Sequence, residues 1–293
     1  MILKQKISSL IKKLLVHYGY APFIGVSRHR IFTDGVGITT LVAFHSCPLR
    51  CKYCLNPQSL RKDGAVLWYT PKKLLKEVEK DDLYFCETDG GVTFGGGEPL
   101  LYPNFIREFK HICPSSWKIS IETSLNVCQS SLEEVLEVVD TYIIDIKDMN
   151  PLVYEEYTGH NINQLLTNLN FLIKKEKMNN ILIRIPLIPG YNNEEDVQSS
   201  ILELERLGIK RYERLTYTTS KPNKSNISYQ ELVKLGKSKC MFLKGLRTEI
   251  AKKSGIEYIP NECNNSKPCS GTCPVCDKEL IYLNAELRQG KIC

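Results

Sequence analysis

Ile38-Thr39-Thr40-Leu41-Val42-Ala43-Phe44-His45-Ser46-Cys47-Pro48-Leu49-Arg50-Cys51-Lys52-Tyr53-Cys54-Leu55-Asn56-Pro57 is a β-rich apolar run that ends in a loop of three cysteines. Residues 38–44 predict a strand. Cysteines at gaps of three and two residues can wrap one face of a metal cluster. Four thiolates would saturate a four-iron cluster, whereas three leave one iron open. An open coordination position marks a catalytic metal rather than a structural one. The loop alone leaves a second reading open, a zinc knuckle completed by a distant ligand such as His45.

The pattern repeats outward from this stretch. Residues 91–94, 117–121, 142–146, 181–188 and 212–217 also predict strands, each short and apolar or alternating. Helical spacing lies between them at 71–80, 100–112, 131–139, 161–177 and 194–207. Thr70 and Pro71 form a start signal for the first helix. Strand and helix thus alternate about six times, which predicts βαβ units and a parallel sheet. Sites in such folds lie beyond the carboxyl ends of the strands, and the three-cysteine loop falls there.

The 293 residues include 42% apolar and 25% charged side chains, an ordinary globular composition. The net charge is +6, but Lys and Arg are dispersed rather than gathered in a stripe, so no nucleic-acid partner is expected. No apolar run reaches the roughly 20 residues that cross a bilayer, so no membrane association is expected. Residues 1–15 alternate Lys with apolar side chains and predict a short amphipathic helix. Twelve cysteines, tightly clustered, fit metal or cluster ligation in a reducing, cytoplasmic compartment better than a disulfide framework. Cys263, Cys269, Cys273 and Cys276 stand at gaps of five, three and two residues. Four thiolates close either a structural zinc site or a second [4Fe-4S] cluster. The tail around them is rich in Asn, Ser and Gly and predicts little apolar core, so it needs a ligand to fold. Residues 229–254 read as a helix. Cys113, Cys128 and Cys240 read as isolated packing residues.

Cys-x3-Cys-x2-Cys after the first strand, with the aromatic Tyr53 before the last cysteine, resembles the signature of radical S-adenosylmethionine (radical SAM) enzymes. Further motifs follow in the family's order. Gly96-Gly97-Glu98-Pro99 resembles the element that binds the methionine amino group. Glu122, at the end of the third strand, stands where pyruvate formate-lyase activating enzymes have Asp. Asp145 and Lys147 resemble those enzymes' Asp-x-Lys element at the cofactor. Arg184, ahead of Pro189-Gly190, matches an Arg placed to contact the cofactor. The resemblance covers roughly residues 30 to 220 and is nearest to the short activating enzymes of glycyl radical enzymes. It implies a partial (β/α)6 barrel, with residues 1–30 as an N-terminal extension, 31–220 as the core and 221–293 as a cysteine-rich tail.

That resemblance implies an oxidoreductase with a [4Fe-4S] cluster on Cys47, Cys51 and Cys54. S-adenosylmethionine is then held by Tyr53, Gly96, Gly97, Glu98, Pro99, Glu122, Asp145, Lys147 and Arg184. Flavodoxin or ferredoxin supplies electrons, and a glycyl radical enzyme accepts the radical. Two departures stand out. Thr218 occupies the sixth-strand position where the activating enzymes carry a cofactor-contacting His, and the short members lack the cysteine tail. The tail keeps two other readings in view: a peptide- or protein-modifying maturase with a second cluster or zinc, and a zinc-binding interaction module.

Overall fold

The computed structural model describes residues 11, 13–61, 66–217, 228–263, 267, 269 and 272–289. In chain order these form β1 (Ala21–Ile31), β2 (Ile38–Phe44), β3 (Leu67–Tyr69), α1 (Pro71–Val78), α2 (Asp82–Thr88), β4 (Gly91–Gly96), α3 (Pro103–Ile112), β5 (Lys118–Thr123), α4 (Gln129–Val135), β6 (Thr141–Asp145), α5 (Pro151–Thr158), α6 (Asn163–Lys174), β7 (Ile181–Leu187), α7 (Glu194–Arg206), β8 (Tyr212–Thr216), α8 (Tyr229–Lys253) and α9 (Pro274–Gln289). Short 3-10 turns lie between some of them.

All eight strands make one sheet in the order β3-β1-β2-β4-β5-β6-β7-β8. The strands from β2 to β8 pair in parallel, which gives the expected six-strand α/β core. β1 and β3 add an antiparallel edge. β1 therefore lies within the segment expected to be an N-terminal extension. The helix expected over residues 1–15 lies mostly outside the described residues.

Side chains alternate across each strand, and the two faces differ in kind. One face carries Val42, Phe44, Phe94, Ile119, Ile121, Ile144 and Ile183, all buried in one core with Leu74, Phe105, Phe109, Leu132, Leu165, Leu169, Val197 and Ile201 of the covering helices. Burying an apolar side chain of this size stabilises by about 1.5–3 kcal/mol, so this face holds the sheet to its helices. The other face is polar and carries Thr93, Ser120, Glu122, Asp145, Arg184 and Glu213. The parallel register sets Asp145 beside Arg184 and Arg184 beside Glu213.

The helices begin at their sequence signals. Thr70 Oγ1 accepts from the Lys73 N–H of α1 at 3.2 Å, and Asn193 and Asp196 form a reciprocal capping box at α7. The tail departs from expectation. α9 buries Leu280 and Leu283 in a second core with Leu243, Ile250 and Ala251 of α8, Leu83 and Tyr84 of α2, and Ile38 at the start of β2. A sixteen-residue helix supplies the apolar surface that the Asn- and Ser-rich stretch before it lacks.

Candidate active site

The three-cysteine loop leaves the carboxyl end of β2 and is tied down by main-chain hydrogen bonds on both sides. Ser46 N–H reaches Ser59 O at 2.9 Å, and Arg50 and Lys52 N–H groups reach Thr158 O and Tyr157 O at the end of α5 at 2.8 and 3.1 Å. The Arg50 guanidinium folds back to donate to the Cys47 and Leu49 carbonyls at 2.7 and 2.8 Å. Those bonds fix the path of the loop from Cys47 to Cys51. The three thiols lie within electrostatic reach of one another. Burial pushes the Cys47 thiol up to about 12 and also raises Cys51, against which the Lys147 ammonium pulls. His45, the ligand a zinc knuckle would need, is engaged elsewhere: its ring nitrogens meet Ser46 Oγ and Arg61 O, each at 2.9 Å.

The glycine turn docks directly on this loop. Gly97 N–H donates to Phe44 O at 2.9 Å and Glu98 N–H to Ser46 O at 2.8 Å, while Asn56 Nδ2 donates to Gly96 O at 3.0 Å. Gly96 has φ +90 and sits against Ala43, an approach that only glycine allows. Glu98 is fully buried. Its carboxylate accepts from Leu100 N–H and Thr123 Oγ1 on one oxygen and from Ser124 N–H and Oγ on the other, at 2.7 to 3.2 Å. A carboxylate has about four lone-pair sites, so an ammonium group reaching Glu98 competes with Ser124. Burial raises the Glu98 pKa, and the Ser124 and Thr123 bonds oppose that rise. Pro99 opens the 3-10 turn that follows.

Further along the polar face stand two ion pairs. Glu122 accepts from Arg184 Nη1 at 2.6 Å, and Arg184 also donates to Glu213 at 3.2 Å and Thr33 O at 2.6 Å. Lys147, just past β6, donates to Asp145 Oδ2 at 2.6 Å and to Tyr217 Oη at 2.7 Å. Burial alone would lower the Lys147 pKa, but the Asp145 charge, with Tyr217 and Cys51, holds it well above its usual value. Lys147 is therefore a fixed cation beside Cys51. The Tyr217 ring also faces the ammonium, and Tyr53, Tyr157 and Tyr191 pack in one cluster with Tyr217, with Tyr157 and Tyr191 ring centroids 5.1 Å apart. Two buried polar atoms of this cluster, Asp145 Oδ1 and Tyr157 Oη, have no hydrogen-bond partner. Buried polar groups are normally paired, so these orphans beside a fixed cation fit a polar ligand such as S-adenosylmethionine. The three thiols of the loop are the donor set of a cluster ligated on three sides.

The fold thus brings the cysteine loop, the glycine turn, Asp145 and Lys147 to the carboxyl ends of adjacent strands, with Glu122 and Arg184 paired on the same face. Tyr217 was not foreseen as part of the site. Thr218, singled out instead, lies outside the described residues, and the residue before it supplies the hydroxyl that meets Lys147. Cys128, expected to be a packing residue, is exposed. Among the described residues, no group of three or more His, Cys, Asp or Glu side chains is placed so that it could hold a metal ion.

A family model described as the radical SAM superfamily matches residues 41–200. The chain belongs to the radical SAM superfamily. Its relatives include the indoleacetate decarboxylase activating enzyme of Tractidigestivibacter scatoligenes, 26% identical over 271 residues, spanning 65% of this chain and 85% of that one. The pyruvate formate-lyase-activating enzyme of Clostridium pasteurianum is 31% identical over 200 residues, spanning 62% and 82%. The pyruvate formate-lyase 2-activating enzyme of Escherichia coli K12 is 28% identical over 229 residues, spanning 67% and 77%. The activating-enzyme resemblance read from the motifs is borne out, and the interaction-module reading gives way to a radical SAM enzyme.

Proposed function

We propose that this chain is the activating enzyme of a glycyl radical enzyme, using Cys47, Cys51 and Cys54 to hold a [4Fe-4S] cluster open at one iron. When bound, that cluster supplies the electron that cleaves S-adenosylmethionine to methionine and a 5′-deoxyadenosyl radical. The residues of the chain do the rest. Lys147, kept charged by Asp145, presents a cation for the methionine carboxylate. The turn at Gly96 and Gly97 brings main-chain groups close to the cysteine loop. The tyrosine cluster shields Lys147 from water, which strengthens its pull on an anion.

The observation that carries this reading is the joint one: activating-enzyme relatives spanning most of their own lengths, and a Lys147–Asp145 pair with an orphaned oxygen beside the cysteine loop. The partner is a glycyl radical enzyme, and the electron donor is a flavodoxin or ferredoxin in a reducing cytoplasm. Among the described residues no two cysteines are joined in a disulfide, and no helix is long and apolar enough to cross a membrane.

The test is anaerobic incubation of the reduced, iron-loaded protein with S-adenosylmethionine and its cognate partner. We expect 5′-deoxyadenosine and a glycyl radical doublet by electron paramagnetic resonance. Cleavage without a doublet would assign the radical to another acceptor, such as a peptide.

A further inference from the structure

Among the described residues, nothing in the chain uses the Tyr157 hydroxyl. Tyr157 stands on α5, the helix whose last carbonyls hold the cysteine loop, and it is fully buried. Three aromatic neighbours fix its ring: Tyr191 at 5.1 Å, Tyr53 at 6.1 Å and Tyr217 at 6.5 Å between centroids. Cys51 packs against the same cluster, and the Tyr157 main-chain oxygen accepts from the N–H of Lys52, the residue next to Cys51. A ring pinned in this way cannot carry its hydroxyl to another partner. Leaving a buried hydroxyl unpaired opposes folding, and phenylalanine would fill the same space without that cost.

Three unmet polar atoms belong to this part of the site. An ammonium carries three N–H donors. Among the described residues Lys147 commits two of them, to Asp145 Oδ2 at 2.6 Å and to Tyr217 Oη at 2.7 Å. One N–H is left. The Tyr157 hydroxyl is a second unmet donor, because burial raises its pKa and it keeps its proton. Its ring packs on Tyr217, whose hydroxyl meets Lys147, and it lies within electrostatic reach of that ammonium. Two unmet donors, one of them a cation, match the two oxygens of a carboxylate. The third unmet atom, Asp145 Oδ1, is an acceptor and takes a hydroxyl or ammonium of the same ligand.

Tyr142 shows what the same orphan looks like without a ligand beside it. Its hydroxyl is also buried and unpartnered. It lies with Ile144 in the core beneath the helices. Side chains alternate along β6, so Tyr142 and Asp145 project from opposite faces of the sheet.

We propose that Tyr157 is a cofactor-binding residue, whose hydroxyl and the remaining N–H of Lys147 together clamp the methionine carboxylate of S-adenosylmethionine. The assignment rests on Lys147 receiving that carboxylate. The test is isothermal titration calorimetry on the iron-loaded, unreduced protein, in which no cleavage occurs. Tyr157→Phe should weaken S-adenosylmethionine binding about tenfold or more, and Tyr142→Phe should leave it unchanged. Decarboxylated S-adenosylmethionine keeps the sulfonium, the amine and the nucleoside; its affinity should differ less than about twofold between wild type and Tyr157→Phe. Without S-adenosylmethionine, Tyr157→Phe should melt at or above the wild-type temperature, since it loses an unpaired polar group. Unchanged affinity in Tyr157→Phe, with Lys147→Met weakened, would overturn the role of Tyr157 alone. Equal losses for the two ligands would place the hydroxyl at another part of the cofactor and overturn the carboxylate clamp. A lowered melting temperature would give the hydroxyl a partner inside the protein and overturn the proposal as well. Wild-type affinity in Lys147→Met would overturn the reading of Lys147 on which the clamp rests.

Discussion

Gly97→Ala is the substitution that most directly probes how the cysteine loop and the glycine turn work together. A Cβ at position 97 would lie 2.9 Å from the Ser46 carbonyl carbon, closer still to its oxygen, and 3.0 Å from Phe44 O. These are backbone atoms that cannot rotate away. Relief requires the 44–47 and 96–98 segments to part, which breaks the Gly97–Phe44 and Glu98–Ser46 hydrogen bonds. Overpacking costs about 1–3 kcal/mol, and each lost bond about 1 kcal/mol, for a total of about 3–5 kcal/mol. A domain stable by about 5–15 kcal/mol tolerates that, so the far-ultraviolet circular dichroism should stay close to wild type. The damage should fall on Cys47, the next residue after Ser46. Reconstituted iron per chain should drop severalfold, and the dissociation constant for S-adenosylmethionine should rise by about tenfold or more, a factor that corresponds to about 1.4 kcal/mol. Gly245→Ala is the matched control. It lies in α8 with nothing within 4 Å of its Cβ and should stabilise by about 0.5–1 kcal/mol. Wild-type iron content and cofactor affinity in Gly97→Ala would refute the mechanical joint between the two motifs.

Other outcomes follow from the polar face. Tyr217→Phe removes the hydroxyl that Lys147 meets at 2.7 Å; a hydrogen bond to a charged donor is worth about 1.5–3 kcal/mol, so KM for S-adenosylmethionine should rise at least about tenfold in a 5′-deoxyadenosine assay, and an unchanged KM would contradict the positioning of Lys147. Arg184→Ala leaves Glu122 without the partner it holds at 2.6 Å; breaking such a pair costs up to about 3–5 kcal/mol when fully buried, so a somewhat smaller loss should appear in urea unfolding, with part of it recovered by Glu122→Gln in the Arg184→Ala background. For Asp81, burial alone would raise the pKa, but hydrogen bonds from Arg28 and His29 outweigh it and hold it down to about 2. Its folded value lies below its unfolded value, so its contribution is complete above about pH 4, declines as pH falls toward 2, and should be missing from the acid limb of Asp81→Asn thermal melts.

The six core strands were legible because their apolar side chains face helices at a period of two. β1 was not legible. Pro22, Gly25 and Ser27 interrupt the alternation, and the pairing with β2 slips between Phe23 and Gly25 and again between Ser27 and Arg30. β3 has three residues, too few to show a period. Asp145, Lys147 and Arg184 were named through the resemblance to the activating enzymes, and Asp145 and Arg184 also stand out as charges in otherwise apolar strands. Tyr217 did not stand out, since an aromatic residue ending a strand reads as core. The engagement of Glu98 by Ser124 needed the β4–β5 register.

The polar face of the sheet also bears on why these charges are there at all. Arg30 with Asp34, Glu122 with Arg184, and Asp145 with Lys147 pair along it. Partly buried ion pairs of this kind are weak sources of stability, and replacing fully buried ones by apolar residues is often neutral or stabilising by about 1–4 kcal/mol. Folding alone therefore gives little reason for three such pairs on one face. A charged, polar ligand does. Each pair holds its members oriented before a ligand arrives, so little reorganisation is left for the moment of binding. Where the pairing is complete, as at Glu122 and Arg184, the side chains mainly shape the floor of the site. Where it is incomplete, at Asp145 Oδ1 and Tyr157 Oη, the chain leaves room for a hydrogen bond with a polar ligand. Asp145 and Tyr157 both lie within electrostatic reach of Lys147 and Cys51, so a polar ligand that met these two atoms would lie against the cysteine loop.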